Sequence, residues 1–382
     1  MILADYSSII HRMLYVSIKL SEDEAEKNGT LPSCGHFLDE NGKTITSTFI
    51  KITKSMILEE LINIKQVHSK KYGELVLAFD NSEVPYWRKE IYPAYKAQRK
   101  KLKAATTVNY EEVFKELKDL ENVLVNYSPL PCISIPRAEA DDIIFVLSSH
   151  FGKKEKMLIY STDKDFLQSQ RTSKLVDQYS PTLKKWLKPE IKNENMDDWI
   201  VEHVCLGDKS DNVPRIVDFT IFSKSFKSWL TNIGLEVLEP FEFYEKYTKE
   251  KANKLFEKFD VYKVNRKGEA LEEKDIFDKP NLGAVKLHKN IKSFGSLELW
   301  LDSHPLYKKH YDLNYKLVME EGIPDDVREL ILHNYENVDR TYNQDEIEEC
   351  FKRNKISQFI MELPQFFGAG KKKEIDASFF GW

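Results

Sequence analysis

Cysteine is scarce in this chain: four in 382 residues, at Cys34, Cys132, Cys205 and Cys350. No pair has the spacing of a disulfide framework or of a Cys/His zinc site, so reduced thiols in a cytosolic compartment are expected. Long apolar runs are missing too. None approaches the roughly 18 residues that a helical membrane span needs, so no membrane association is expected. Asp5, His11 and Arg12 interrupt the start of the chain, which speaks against a secretory leader. Met1 also stands only four positions before an acidic residue of interest, which leaves no room for one that is removed. A surplus of positive charge is lacking: 57 Lys and Arg against 62 Asp and Glu give a net charge of −5 and a pI near 6.1. Spread evenly, that balance would argue against a nucleic-acid partner, but it is not even. Apolar and aromatic residues are plentiful, at 41% and 12%. They predict a folded chain with one large core and a smaller module.

The acidic residues are placed with a pattern. Met1-Ile2-Leu3-Ala4 runs into Asp5, and Leu75-Val76-Leu77-Ala78-Phe79 ends on Asp80. Met157-Leu158-Ile159-Tyr160 leads to Ser161-Thr162-Asp163-Lys164-Asp165. Arg137-Ala138-Glu139-Ala140-Asp141-Asp142 opens an apolar, helix-like run, and Cys205-Leu206-Gly207 precedes Asp208-Lys209-Ser210-Asp211. The short apolar runs read as buried strands, and α/β proteins build sites outside the carboxyl ends of such strands. Singly, each carboxylate has a plain explanation: Glu139 as a first-turn helix charge, Asp163 as an N-cap. Converging, Asp5, Asp80, Glu139, Asp141, Asp163, Asp165, Asp208 and Asp211 would repel strongly unless cations neutralised them. Oxygen-only ligands suit Mg²⁺ or Mn²⁺ rather than zinc. So many carboxylates suit two ions about 3.5–4 Å apart, the arrangement for in-line displacement at phosphorus.

Strands alternating with helices from 1 to 200 predict a mainly parallel sheet covered on both faces. Helices are expected over 6–26, 48–72, 110–127 and 138–151, with a loop or small hairpin over 28–47. A further short strand falls at Leu124-Val125 or at Ile133-Ser134-Ile135, and residues 172–187 read as strands joined at Ser180-Pro181.

Five of these motifs, in this order, resemble those of the 5′-nuclease (flap endonuclease) family. They are Asp5, Phe79-Asp80, Glu139-Ala140-Asp141-Asp142, Thr162-Asp163-Lys164-Asp165, and Gly207-Asp208-Lys209-Ser210-Asp211-Asn212-Val213-Pro214. The resemblance covers residues 1–214 and 279–340. It implies an α/β, PIN-like fold with a central sheet flanked by helices, plus a smaller helical domain of helix-hairpin-helix type. It implies two Mg²⁺ ions, replaceable by Mn²⁺. Asp5, Asp80, Glu139, Asp141 and Asp163 would surround the first, and Asp165, Asp208 and Asp211 the second, partly through waters. Asp142 belongs to the same set but stands behind it. The implied activity is that of a 5′→3′ exonuclease and flap endonuclease with ribonuclease H activity. It would remove RNA primers and 5′ flaps at nicks and RNA–DNA ends and leave 5′ phosphates. The implied setting is a phage-encoded monomer in the cytoplasm of a bacterial host, with a sliding clamp and a single-stranded-DNA-binding protein as partners. A PIN-type ribonuclease, which shares a four-acid core, and a non-catalytic structure-specific DNA-binding protein are the alternatives.

Positive charge is concentrated in Tyr86–Lys103, where Arg88, Lys89, Lys96, Arg99, Lys100, Lys101 and Lys103 face Glu90 alone. Four aromatics interleave with them. A solvated basic helix with core aromatics would read this way. So would a single-strand channel with cations and stacking faces. The resemblance makes 84–105 the start of a helical arch. Within it, Tyr95-Lys96-Ala97-Gln98-Arg99 resembles the family's Tyr-Lys-x-x-Arg, which assigns Lys96 and Arg99 to the scissile phosphate.

The expected organisation is a catalytic domain over 1–214, an insertion over 215–278, a duplex-binding region over 279–345, and a C-terminal helix and tail over 346–382. The insertion, with helical runs such as Phe226–Leu238 and Phe241–Phe259, shows no repeat or low-complexity tract. It reads as an added helical subdomain or as a partner- or DNA-contacting module. Gly283 is expected in a tight turn before a helix, where backbone N–H groups with Lys286, Lys289 and Lys292 would meet a duplex phosphate. The family's Gly-x-Gly is here only Leu282-Gly283. The final residues carry Phe379, Phe380 and Trp382 beyond a Gly-Ala-Gly-Lys-Lys-Lys run. They read either as a docking peptide for a partner pocket or as a tail folded back on its own domain.

Overall fold

The computed structural model describes residues 1–30, 37–81, 83–99, 105–188, 196–217, 221–238, 243, 246–262, 277–278 and 282–367. A six-stranded sheet is built from β1 (Ile2–Asp5), β2 (Leu75–Phe79), β3 (Cys132–Ser134), β4 (Met157–Tyr160), β5 (Val176–Ser180) and β6 (Lys185–Leu187). Its order is β3-β2-β1-β4-β5-β6. All neighbours are parallel except β5 and β6, which pair antiparallel through Tyr179↔Trp186. β1 lies between β2 and β4, with Ile2 opposite both Leu75 and Leu158. The strand order reverses at β1 and β4, where open α/β sheets leave a crevice at the carboxyl ends.

The alternation of a strand sorts its side chains onto two faces. Ile2, Ala4, Leu75, Leu77, Leu158 and Tyr160 point to one core, with the helices Tyr6–Lys27, Ile50–Tyr72, Tyr110–Tyr127 and Gln344–Arg353. Leu3, Val76, Ala78, Ile133, Met157 and Ile159 point to the other, with the helices Ala140–Phe151 and Asp325–Asn337. Both faces being covered, the strands read as continuous apolar runs. The third strand forms around Ile133; Leu124 and Val125 instead belong to the amphipathic helix Tyr110–Tyr127. In 28–47 a short antiparallel bridge joins Leu38 and Thr44. Cys132, Cys205 and Cys350 are buried and unbridged. Among the described residues no helix is long and apolar enough to cross a membrane.

The chain divides into two units, one of residues 1–196 with 318 onward, the other Asp197–Leu317. This differs from the division expected from sequence, because the chain returns to the first unit after the second. Ile323, Val327 and Ile331 join the core under Ala140–Phe151, and Ile347, Cys350 and Phe351 join the opposite one. The second unit holds two apolar clusters. One joins Cys205, Ile216, Leu282, Leu287 and Trp300. The other is aromatic, with Phe222, Phe226, Trp229, Phe243 and Phe259, and gives the insertion a core of its own. A two-stranded pair, β7 (Ile221–Phe222) and β8 (Phe277–Asp278), lies in the same stretch. The helix expected over 226–238 stops at Asn232, and Gly234 at φ 71° turns the chain. Of the other run, the described helix is Lys249–Tyr262.

If residues 318 onward are part of the first core, Ile331→Ala should cost about 2–5 kcal/mol. The neighbouring exposed Leu330→Ala should stay within about 0.5 kcal/mol. Equal denaturation midpoints for the two variants would show that this helix is not integral to the core.

Candidate metal centre

Each candidate acidic residue of the first unit is placed by the end of a strand or the start of a helix. Asp5 closes β1 and caps the next helix, its Oδ1 accepting from Ser8 N at 2.9 Å. Asp80 follows β2 and accepts from Ala140 N at 2.9 Å, at the first turn of Ala140–Phe151. Asp163 follows β4 and accepts from Asp165 N at 2.9 Å. Glu139 and Asp142 form a reciprocal capping box, with Glu139 N donating to Asp142 Oδ2 at 2.9 Å. The capping roles and the site are one arrangement, because a cap fixes the carboxylate at the strand edge.

The carboxylates are close enough to act on one another. Burial, then the charges of Asp80 and Asp163, push the Asp5 carboxyl up to about 7. Burial and the charges of Asp163, Asp5 and Glu139 push Asp141 well above the usual range, against the opposing pull of Lys96. Asp5, Asp80, Glu139, Asp141 and Asp163 thus share one electrostatic neighbourhood. An oxygen-only donor set whose charge is resisted by its own neighbours is what a hard divalent cation relieves. By chemistry the residues fit such an ion. Among the described residues, however, no three acidic, His or Cys side chains stand ready as a cation cage. The oxygens of Glu139 are engaged by protein donors. Arg88 Nη1 lies 3.0 Å from Oε2, Tyr95 Oη donates to the same oxygen at 3.0 Å, and Lys96 Nζ donates to Oε1 at 2.6 Å.

The basic segment therefore grows from beneath the site. Trp87–Ile91 is a short helix, followed by turns over 93–97 and helical backbone at Gln98 and Arg99. Arg88 is 3% exposed and also pairs with Asp142 Oδ1 at 2.7 Å, while Trp87 Nε1 donates to Asp142 Oδ2 at 3.1 Å.

Residues 1–198, more than half the chain, match the family described as 5′-3′ exonuclease, N-terminal resolvase-like domain. The chain belongs to the 5′-nuclease family. Enterobacteria phage T4 ribonuclease H is 32% identical over 169 residues, covering 44% of this chain and 54% of that protein. A 5′-3′ exonuclease of Buchnera aphidicola subsp. Baizongia pistaciae is 24% identical over 334 residues, 84% of this chain and 95% of the relative. The chain spans about half the length of the first curated relatives it matches, 54% and 46%. The solved structure of T5 D15 protein co-crystallized with metal ions aligns with 94% of this chain and 98% of that one, at 16% identity and a TM-score of 0.43.

Several expected contacts of this 5′-nuclease need correction. Arg88 and Tyr95, read as nucleic-acid contacts, are buried and spent on Glu139 and Asp142. An arginine buried between two carboxylates is costly to remove, because it would leave them unpaired, and Trp87 and Tyr95 beside it are core. Asp142, at 0% exposure, is occupied by Trp87, Arg88 and the Glu139 N–H, so it supports the acidic set rather than joining it. Lys89 is half-buried, its Nζ 5.8 Å from the Tyr86 ring, and Arg99 is exposed. Lys100, Lys101 and Lys103 lie outside the described residues, as do Phe379, Phe380 and Trp382.

In the second unit, Asp208 Oδ1 accepts from Ser210 N at 2.6 Å and Ser210 Oγ at 2.7 Å. The loop closes as Val213 N donates to Asp208 O at 2.7 Å. Asp211 lies between, half-buried, before Asn212 at φ 60°. Gly207, at φ 65°, has no room for a side chain: a Cβ would meet Val213 O and Pro214 O at 2.4 Å. Gly283 precedes the helix Ala284–Phe294 with φ −120° and open space around it, so the tight turn expected there is absent. Lys286 and Lys289 are exposed on that helix.

Sequence reasoning missed three positioning residues. Gln178, buried on β5, donates to the carbonyl of Ser161 at 3.0 Å and also to that of Asp163. Its signal was a polar side chain at an inward strand position. Arg137, at φ 68°, grips Glu90 at 2.8 and 2.9 Å and Asp326 at 2.6 Å. Asn314 donates to Val204 O at 2.9 Å and Pro214 O at 2.7 Å, bracketing the Asp208 loop; no local pattern marks it.

Arg88→Met strands two buried carboxylates and should destabilise the fold by about 3–5 kcal/mol. The double variant Arg88→Met/Asp142→Leu should recover part of that loss. A thermal midpoint of the single variant equal to the parent's would show that Arg88 does not hold this set.

Proposed function

We propose that this 5′-nuclease is a divalent-metal-dependent phosphodiester hydrolase, a 5′→3′ exonuclease and flap endonuclease acting on DNA and RNA–DNA duplexes. The observation that carries the reading is the carboxylate cluster at the carboxyl edge of a parallel sheet, with Glu139 buried, Asp5 and Asp141 half-buried, Asp80 and Asp163 exposed, and Lys96 directly on Glu139. Asp5, Asp80, Glu139, Asp141 and Asp163 would hold one Mg²⁺, and Asp165 stands ready to contribute to a second, with Mn²⁺ able to substitute. When bound, such ions supply a water of lowered pKa and charge to balance the leaving 3′ oxygen.

The protein's own groups do the rest. Arg88 and Tyr95 fix the orientation of Glu139. Gln178 holds the loop that carries Asp163. Lys96 and Arg99 present positive charge to the reacting phosphate, an electrostatic contribution realised as charge develops. Lys89, Lys100, Lys101 and Lys103 attract the single strand, and the Gly283 helix start with Lys286 and Lys289 meets the duplex backbone. The finer reading, removal of RNA primers and flaps by a phage-encoded enzyme in a bacterial cytoplasm, agrees with the name of the T4 relative, a ribonuclease H. In that setting the aromatic tail, Phe379, Phe380 and Trp382, is a docking peptide for a sliding clamp, and tethering would raise the local enzyme concentration at a junction. A single-stranded-DNA-binding protein is the other proposed partner.

Cleavage of 5′-labelled flap, nicked and RNA–DNA substrates, with Mg²⁺ and with EDTA, tests this reading through product lengths. Asp141→Asn should lower cleavage by at least about a hundredfold, the scale on which metal and charge stabilisation act, while duplex binding persists. Wild-type turnover by that variant, or turnover in EDTA, sinks the assignment. Replacing Lys100, Lys101 and Lys103 together should reduce the slope of log K against log salt by about two, at roughly 0.7 per phosphate contact on single strands. An unchanged slope removes them from the binding surface.

A further inference from the structure

Resting on the reading of the carboxylates as a metal site, the placement of Lys96 implies more than a phosphate contact. Its side chain is 8% exposed, and Nζ sits 2.6 Å from Glu139 Oε1. Its charge also acts on Asp5 and Asp141. Its backbone lies at φ 53°, in the left-handed region that lysine rarely adopts. Such a conformation persists where the surroundings determine it. Here they do: Tyr95, one residue earlier, is 3% exposed and anchored to the other oxygen of Glu139.

The two cations on Glu139 differ in kind. Arg88 is held by Glu139 and Asp142 together, and Trp87 packs against its guanidinium with Cζ 4.4 Å from the ring centroid. A planar guanidinium in such a fork is fixed. Lys96 donates to Glu139 Oε1 at 2.6 Å, and its ammonium is a compact point charge on a flexible four-carbon stem, apart from the Arg88 fork that holds Glu139 and Asp142. It can leave without breaking the scaffold.

We propose that Lys96 is a built-in counter-cation of the acidic cluster, seated on Glu139 while no divalent ion is bound and withdrawn from it when the carboxylates take one. The ammonium and the ion compete for the same negative charge, so each weakens the other's hold, and the coupling is reciprocal. Withdrawal hands Lys96 to the reacting phosphate only once the site is loaded. Metal occupancy and the position of the Lys96 ammonium are then one equilibrium.

The test needs no turnover and no nucleic acid. Mn²⁺ is titrated calorimetrically into the metal-free full-length chain, wild type against Lys96→Met and Lys96→Gln, with Lys96→Arg as the charge-preserving control. Loss of the ammonium should tighten Mn²⁺ binding by about tenfold, within the usual range of coupling between sites, and Lys96→Arg should stay near wild type. The rise in melting temperature on adding Mn²⁺ should also be larger for the neutral variants, whose metal-free carboxylates lack a counter-charge. Mn²⁺ affinity unchanged or weakened in both neutral variants overturns the competition while leaving the metal site intact. Absence of Mn²⁺ binding by the wild type overturns the metal site itself, and with it this inference.

Discussion

Repulsion among carboxylates is the constraint on which the rest of this structure depends. The sheet order places the ends of β1, β2 and β4 side by side, and each end delivers an acidic residue to the same edge. Left alone, such a cluster would oppose its own folding. The chain answers with hydrogen bonds from helix N-termini to Asp5, Asp80 and Asp142, and with Arg88 and Lys96 inserted among the acids. The overall negative charge of the sequence hides this local balance. The buried cations come from the one basic segment, so that segment is rooted in the core before any of it can reach a ligand.

Much of the fold was legible because the physics is local. Apolar runs ending on aspartate mark parallel strands and their carboxyl ends at once, and β1, β2 and β4 appear where those runs lie. The Ser180-Pro181 break correctly separates β5 from β6. The acidic residues of the first unit were legible for the same reason. What escaped depends on partners far along the chain. Arg88 looks like a surface cation until Glu139 and Asp142, some fifty residues on, are folded against it. Asn314 is one asparagine among many until it spans the two ends of a loop a hundred residues earlier. Gly283 was read as a turn by analogy, whereas its extended backbone and open surroundings place no demand for glycine there.

The division into two units differs from the one expected from sequence for a related reason. Residues 279–345 are expected as one stretch because they resemble the family's helix-hairpin-helix region. The boundary is set instead by what each apolar face covers. Leu287 and Trp300 belong with Cys205, while Val327 and Ile331 belong with Ile143 and Ile144. Helical periodicity announces that a face is apolar, not which surface it meets.

That return of the chain has a consequence for how the protein is made. The first unit is discontinuous, and its last helices are synthesised only after all of Asp197–Leu317. During translation, the apolar faces of Tyr110–Tyr127 and Ala140–Phe151 wait uncovered while the second unit emerges and folds. A ribosome adding about 5–20 residues per second prolongs that interval to many seconds. The acidic edge is assembled early, from residues 5 to 163, yet the platform beneath it is closed last. The first unit's assembly is thus ordered in time, and its most vulnerable species is a nascent chain that still lacks residues 318 onward.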